Sequence, residues 1–125
     1  MARIVPIGQP ANDCERRVIA HLRDHSPDDW TVLHNVELRD RGHWYEVDLV
    51  VLAPHAVHVI DIKGTHGHIM VARNRWYPDH RAPFRSPLPK LRGHARTLKT
   101  LLTTGAPRLG ELYVGFLVVL AWRIT

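Results

Sequence analysis

The chain has 125 residues and a hydrophobic fraction of 45%, which suits one globular domain and excludes a disordered polymer. Its single cysteine, Cys14, excludes an internal disulfide and favours a reducing compartment. The first residues lack the apolar segment of a signal peptide, and the longest apolar run is about half of what a membrane-spanning helix needs. We therefore expect a cytoplasmic protein with no membrane partner.

The net charge of +5 is unevenly distributed along the chain. Residues 1–63 contain seven lysines or arginines and ten acidic residues, whereas residues 64–110 contain nine basic residues and one acidic residue. This division indicates an acidic site beside a basic surface, as a protein that cleaves a polyanion needs. A solvated basic face explains the charge equally well.

The first predicted element is a helix that begins after Asn12 and ends near His25, before a Ser-Pro step. Glu15 lies on the same face as the apolar residues at positions 18, 19 and 22. A glutamate on a buried stripe is explained by a metal site, or by a capping box in which Glu15 bonds back to the backbone near Asn12.

Three strands follow, over residues 30–38, 43–52 and 56–63, and short turns make them antiparallel neighbours. Strand alternation places Glu46, Asp48 and Val50 on one face of the second strand. It places Asp61 and Lys63 on one face of the third. The carboxylates of Asp48 and Asp61 are therefore predicted to approach each other.

The later half of the chain is predicted to add one helix and one strand. Residues 64–87 are expected to be mostly loop with a short hairpin near 73–74, and residues 88–102 form an amphipathic helix. Residues 112–122 form an apolar strand that should be covered on both faces. The predicted fold is α/β, with a mixed four-stranded sheet flanked by helices. The chain is expected to be a single domain and the amino-terminal fragment of a longer protein.

Asp48, Asp61 and Lys63 form the predicted chemical centre. Two carboxylates near a lysine suit a hard divalent cation, with Mg²⁺ first and Mn²⁺ as its substitute. The cation would hold a phosphate oxygen and lower the pKa of an attacking water, and Lys63 would offset negative charge in the transition state. The alternative is a structural salt bridge, because an Asp-x-Lys pattern is common by chance.

Basic residues of the later half are predicted to bind a phosphate backbone, with the neighbouring Trp76 and Tyr77 stacking on bases. Trp76 is equally well explained as a core residue. A zinc cluster of His55, His58, His66 and His68 is a rival prediction whose spacing matches no standard zinc pattern. The basic residues that could bind the backbone also include Arg81 and Arg85. The residues predicted to bind nucleic acid are Arg73, Arg75, Arg92, Arg96 and Lys99.

Four ordered motifs resemble the nuclease-related domain (NERD) family, a branch of the PD-(D/E)XK superfamily. They are Glu15-Arg16-Arg17, the run over residues 30–36, Glu46-Val47-Asp48, and the run over residues 59–64. The resemblance implies a restriction-endonuclease-like αβββαβ core and Mg²⁺-dependent cleavage of DNA, with Glu15, Asp48, Asp61 and Lys63 as catalytic residues. In this scheme Asp48, Asp61 and Glu15 hold the metal.

Two positions depart from the family pattern. Asp61 stands where many members have glutamate, and Lys90 stands where glutamine is common at the start of the second helix. The fuller sequence is similar to the amino-terminal domains of phage growth limitation serine/threonine kinases of BREX-type phage defence. This similarity implies a kinase downstream and other phage-defence proteins as partners. The alternative function is a catalytically inactive DNA-binding or protein-docking module of such a kinase.

Overall fold

The computed structural model of the chain describes residues 1–65 and 67–121, apart from the side chain of Asp40. It contains a five-stranded mixed sheet with one helix packed on each face, and a separate three-stranded sheet. In chain order the elements are β1 (Arg3–Pro6), α1 (Asp13–His25), β2 (Thr31–Asp40), β3 (His43–Ala53), β4 (Ala56–Gly64), β5 (Ile69–Val71), β6 (Arg75–Pro78), β7 (Phe84–Arg85), α2 (Leu88–Gly105), a short 3₁₀ helix (Pro107–Leu109) and β8 (Tyr113–Ala121).

The large sheet has the order β1-β2-β3-β4-β8. Its centre is the antiparallel meander β2-β3-β4, and β1 and β8 add a parallel strand at each edge. The prediction of four strands is wrong because β1 was missed. A strand of four residues carries too little alternation to be recognised, and it forms here because β2 supplies its hydrogen-bonding partner.

The predicted limits of α1 are confirmed. The side chain of Asn12 accepts a hydrogen bond from the Glu15 backbone N–H at 3.0 Å, which caps the first turn. Ser26 follows the helix with extended backbone, and its N–H donates to the carbonyl of Leu22. Val18, Ile19 and Leu22 pack this helix against one face of the sheet. No helix in the described ranges is long and apolar enough to cross a membrane.

The region before α2 is more ordered than predicted. Residues 69–85 form the antiparallel sheet β5-β6-β7, where only a hairpin near 73–74 was expected. Trp76 is 6% exposed and packs against Phe84, with ring centres 5.9 Å apart. Trp76 is therefore a core residue of the small sheet and is not available to stack on a base.

β8 is less covered than predicted. Leu117 and Leu120 are 39% and 48% exposed, and an apolar cavity of about 800 Å³ opens between α1 and β8. The expectation of cover on both faces is not met within the described residues, because the core beneath α1 includes Val119 and Ala121 of β8 but leaves Leu117 and Leu120 at the open cavity. Trp122, the predicted end of this strand, lies outside the described residues.

Candidate active site

The regular pairing of β3 is lost at Asp48 on both sides. The β2–β3 ladder skips the pair formed by Asn35 and Asp48. The β3–β4 ladder ends at Leu49 and Ile60, one pair before Asp48 and Asp61. Asn35 has a φ of +56°, in the left-handed region that asparagine tolerates better than most residues. Asn35, Asp48 and Asp61 therefore lie at one level across three strands.

The interruption also reverses the faces of β3. Val47 and Val50 pack into the same core beneath α2, although they are three residues apart and strict alternation would separate them. Leu49 packs into the core on the opposite face. The prediction that Glu46, Asp48 and Val50 all share one face by strict alternation is therefore wrong, although Glu46 and Asp48 line the same cavity.

A cavity of about 460 Å³ opens beside this irregular point. One wall comes from the strands and carries the acidic residues together with Lys63. The other comes from the end of β7 and the first two turns of α2. The polar and charged residues that line it are Glu46, Asp48, Asp61 and Lys63 on the first wall, and Arg85, Ser86, Lys90 and His94 on the second.

Asp48 is half-buried, and its Oδ2 accepts a hydrogen bond from the Ile62 backbone N–H at 2.8 Å. The pKa of Asp48 is raised to about 7, and burial is the largest cause. The hydrogen bond from the Ile62 N–H lowers this pKa, whereas a hydrogen bond with Asp61 and the charges of Asp61 and Glu15 contribute to the rise. The two predicted metal-binding carboxylates therefore lie in contact and repel each other when both are ionised.

Lys63 is placed by its neighbours on both sides. Its Nζ lies 3.2 Å from Asp61 Oδ2, and both side chains are partly buried. The same Nζ lies 5.9 Å from the centre of the Phe84 ring. The ammonium group is thus held at the carboxylate pair.

Glu15 lies behind the cavity. It is 6% exposed, and its Oε1 accepts hydrogen bonds from the Ala11 N–H at 3.2 Å and the Asn35 side-chain amide at 3.1 Å. The same amide reaches Glu46 Oε1 at 3.4 Å. Glu15 bonds back to the backbone, much as in the capping alternative, and its charge also acts on Asp48. Glu15 is therefore linked to the carboxylate pair indirectly, by its hydrogen bond with Asn35 and by its charge.

The donor set suits a divalent cation that keeps part of its water shell. Among the described residues, no group of three His, Cys, Asp or Glu side chains is placed to hold a metal ion. Asp48 and Asp61 supply two carboxylates whose repulsion a cation would relieve, and Mg²⁺ is commonly held by one or two carboxylates and several waters. The zinc alternative gains no support from His55, His58 and His68, and His66 lies outside the described residues.

Of the wider basic set, Arg85 lines the cavity, whereas Arg73, Arg75, Arg92, Arg96 and Lys99 do not. Lys90 also lines it, and sequence reasoning did not select Lys90 for this role. Lys90 stood out only as a departure from the family pattern. His94, also not selected, carries a signal of its own, because it interrupts the apolar stripe of α2. Arg73, Arg75, Arg92 and Arg96 are exposed and Lys99 is partly exposed.

The fold is that of a mixed α/β domain. Its cavity brings a pair of carboxylates close to a lysine and to the basic first turns of α2. The family model of the nuclease-related domain matches residues 10–121. The chain belongs to the nuclease-related domain family. No curated protein and no solved structure matches the chain, so no relative supports the expected link to phage-defence kinases.

The raised pKa of Asp48 predicts a loss of stability as the pH rises. Between about pH 4 and pH 7 the folded chain binds a proton at Asp48 that the unfolded chain has released, so the free energy of unfolding falls across this window. Because solvent screens a half-buried group, we expect a fall on the order of 1–2 kcal/mol. Urea unfolding in EDTA at pH 5 and pH 8 measures it.

Asp48→Asn should remove this part of the pH dependence, because asparagine does not titrate. Asp29→Asn, on the exposed surface, is the matched control and should keep it. If Asp48→Asn loses stability with pH as steeply as the unchanged chain, the carboxyl group of Asp48 is not the cause.

Proposed function

We propose that this domain is a metal-dependent nuclease that hydrolyses phosphodiester bonds in DNA. The observation that carries the proposal is the contact between Asp48 and Asp61, with Lys63 Nζ at 3.2 Å from Asp61, in a cavity whose second wall is basic. Membership of the nuclease-related domain family supports the same class of reaction.

Asp48 and Asp61 would hold Mg²⁺ or Mn²⁺, and Glu15 would act directly or through water. When bound, the ion supplies Lewis-acid stabilisation of the phosphate and a more acidic water. Lys63 places a positive charge where negative charge develops on the phosphate in the transition state. Asn35 fixes the carboxylates of Glu15 and Glu46 relative to the strands.

We propose phage defence in the cytoplasm as the setting, with other defence proteins as partners and a serine/threonine kinase downstream. This part of the proposal rests only on the resemblance of the amino-acid sequence to the amino-terminal domains of phage growth limitation kinases.

The second candidate function is a catalytically inactive DNA-binding or protein-docking module. It is favoured by the placement of Glu15, whose carboxylate is engaged by Ala11 and Asn35. In this function Asp48, Asp61 and Lys63 form a structural cluster.

Cleavage by the purified chain distinguishes these functions. Single-stranded and double-stranded DNA, and RNA of the same sequence, are incubated with the chain in Mg²⁺, in Mn²⁺ and in EDTA. We expect products from DNA in either metal and none in EDTA, because the carboxylate pair requires the cation to act on a phosphate. DNA binding without cleavage in any metal would favour the inactive module.

DNA affinity should fall steeply with salt if the basic surface of α2 binds the phosphate backbone. Replacing Arg92 and Arg96 with glutamate should weaken binding to every sequence by roughly tenfold or more at moderate salt. Anisotropy titrations in EDTA at several salt concentrations measure both effects. The matched control is the double change Arg17→Glu and Arg23→Glu on α1, which alters the charge equally and should have a smaller effect. Equal losses in both variants, or an affinity independent of salt, would contradict binding at α2.

A further inference from the structure

The second wall of the cavity has no role in the proposed chemistry. Arg85, at the end of β7, and Lys90, in the first turn of α2, line it together with Ser86 and Pro87. Arg85 and Lys90 are exposed, and neither has an ion-pair partner among the described residues. Two uncompensated cations therefore face a cavity whose opposite wall carries the acidic pair.

The start of α2 adds to this positive charge. The helix has 18 residues, and its first turn contains no acidic residue. The backbone N–H of Leu88 is engaged by Ser86 Oγ at 3.3 Å, and no side chain caps the helix from Pro87. A helix N-terminus attracts anions through its dipole and its unpaired N–H groups. At this helix the dipole is the main contribution, because Pro89 has no N–H and the Leu91 N–H donates to the Pro87 carbonyl. Here no carboxylate of the first turn neutralises it.

His94 is an independent sign that the wall receives a ligand. It lies one turn beyond Lys90, is 5% exposed, and lines the same cavity. Its Nε2 has no hydrogen-bond partner among the described residues, although the ring is packed against Tyr45 with centres 4.9 Å apart. A buried polar atom without a partner costs about 1–3 kcal/mol. A ligand that enters the cavity would supply the missing partner.

The pKa of His94 also depends on charges from both walls of the cavity. Burial lowers the pKa of its imidazole, the charge of Lys90 lowers it further, and the charge of Asp61 raises it. The neutral ring has one nitrogen that donates a hydrogen bond and one that accepts. With Nε2 as the donor, it can bind an oxygen atom of an anion.

We propose that Arg85, Lys90 and His94 form a phosphate-binding subsite at the start of α2, which takes a second phosphate of the strand whose scissile phosphate lies at Asp48 and Asp61. The inference rests on the proposed nuclease function for the identity of the strand. The ligand is a phosphate group, either an internal diester next to the scissile one or a terminal monoester.

The cavity is large enough for both subsites. Its volume of about 460 Å³ is within the usual range for pockets that take small molecules, and one nucleotide with its flanking phosphates fits such a space. A short single strand is therefore a suitable probe.

Binding in EDTA tests the subsite without any need for cleavage. Short oligothymidylates with a 5′-hydroxyl or a 5′-phosphate are titrated by anisotropy with the full 125-residue chain, and inorganic phosphate is the competitor. We expect Arg85→Gln and Lys90→Gln each to weaken binding by about tenfold, the effect of one charge-assisted hydrogen bond. Arg108→Gln makes the same charge change at an exposed position outside the cavity and should change binding by less than about twofold.

The two probes distinguish the sources of the phosphate. A loss in Lys90→Gln confined to the 5′-phosphate probe identifies a terminal monoester, and an equal loss with both probes identifies an internal diester. NMR of the unchanged chain provides a readout that does not depend on a variant. The His94 imidazole resonances should move when inorganic phosphate is added.

Asp61→Ala in the same assay separates this inference from the proposed function. It should keep the response to phosphate in EDTA even though it is expected to lose cleavage. A chain that never cleaves but shows the Lys90 effect would retain the subsite and lose the nuclease function. The subsite is overturned if Arg85→Gln and Lys90→Gln bind both probes like the unchanged chain and the His94 resonances stay in place.

Discussion

Asp61→Ala should lower Mg²⁺-dependent cleavage of DNA by roughly 1000-fold, the effect of losing about 4 kcal/mol of transition-state stabilisation by the metal centre. Asp61 is in contact with Asp48 and holds Lys63 at 3.2 Å, so its removal would take away both a proposed metal ligand and an anchor for the lysine. Initial rates under saturating Mg²⁺, together with a Mn²⁺ binding titration, measure the two losses.

DNA binding in EDTA should survive the same change or improve. Removing one carboxylate from a repelling pair reduces the negative charge that opposes the DNA phosphates. Asp29→Ala, which removes an exposed carboxylate, serves as the control and should leave cleavage and metal binding unchanged. Unchanged cleavage and unchanged Mn²⁺ affinity in Asp61→Ala would mean that the carboxylate pair is structural.

Lys63→Ala should lower cleavage by roughly 100- to 1000-fold while leaving metal affinity the same or higher. The lysine charge acts on the transition state. Its removal frees Asp61 from the ion pair at 3.2 Å, so the carboxylate of Asp61 can still bind the cation. The two variants should therefore agree in lost activity and differ in metal titration. Single-turnover rates and Mn²⁺ binding under identical conditions make the comparison.

Lys63→Arg is the matched variant, because it keeps the charge but changes its position. It should retain more activity than Lys63→Ala if the charge itself matters, and less than the unchanged chain because the guanidinium is planar and larger. A Lys63→Ala protein that loses metal binding together with activity would assign the lysine to the architecture of the pair.

The local parts of this fold could be predicted from the sequence because their signals are local. The Asn12 cap sets the start of α1, and the Arg41-Gly42 turn, with φ values of +50° and +80°, closes the β2–β3 hairpin. The alternation of β4 placed Asp61 and Lys63 together without knowledge of any other element. Each of these features depends on neighbouring residues in the chain.

The rest depends on contacts that the sequence pattern does not reveal. The left-handed backbone of Asn35 and the skipped pair with Asp48 reverse the faces of β3, so a simple alternation fails beyond this point. The short strand β1 exists only through its pairing with β2. The second wall of the cavity could not be predicted, because the path of residues 67–87 decides the position of α2 relative to the sheet, and no local signal places Lys90 opposite Asp48.

The topology of the large sheet predicts that the two walls of the cavity form at different stages of folding. The acidic wall lies in the meander β2-β3-β4, whose hairpins have two-residue turns and whose contacts are close in sequence. The basic wall forms only when α2 packs on the sheet as part of the crossover from β4 to the parallel strand β8. Pairing of strands that are far apart in sequence is slower than hairpin formation. We therefore expect the carboxylate pair to form first, open to solvent, and to be enclosed only when α2 docks.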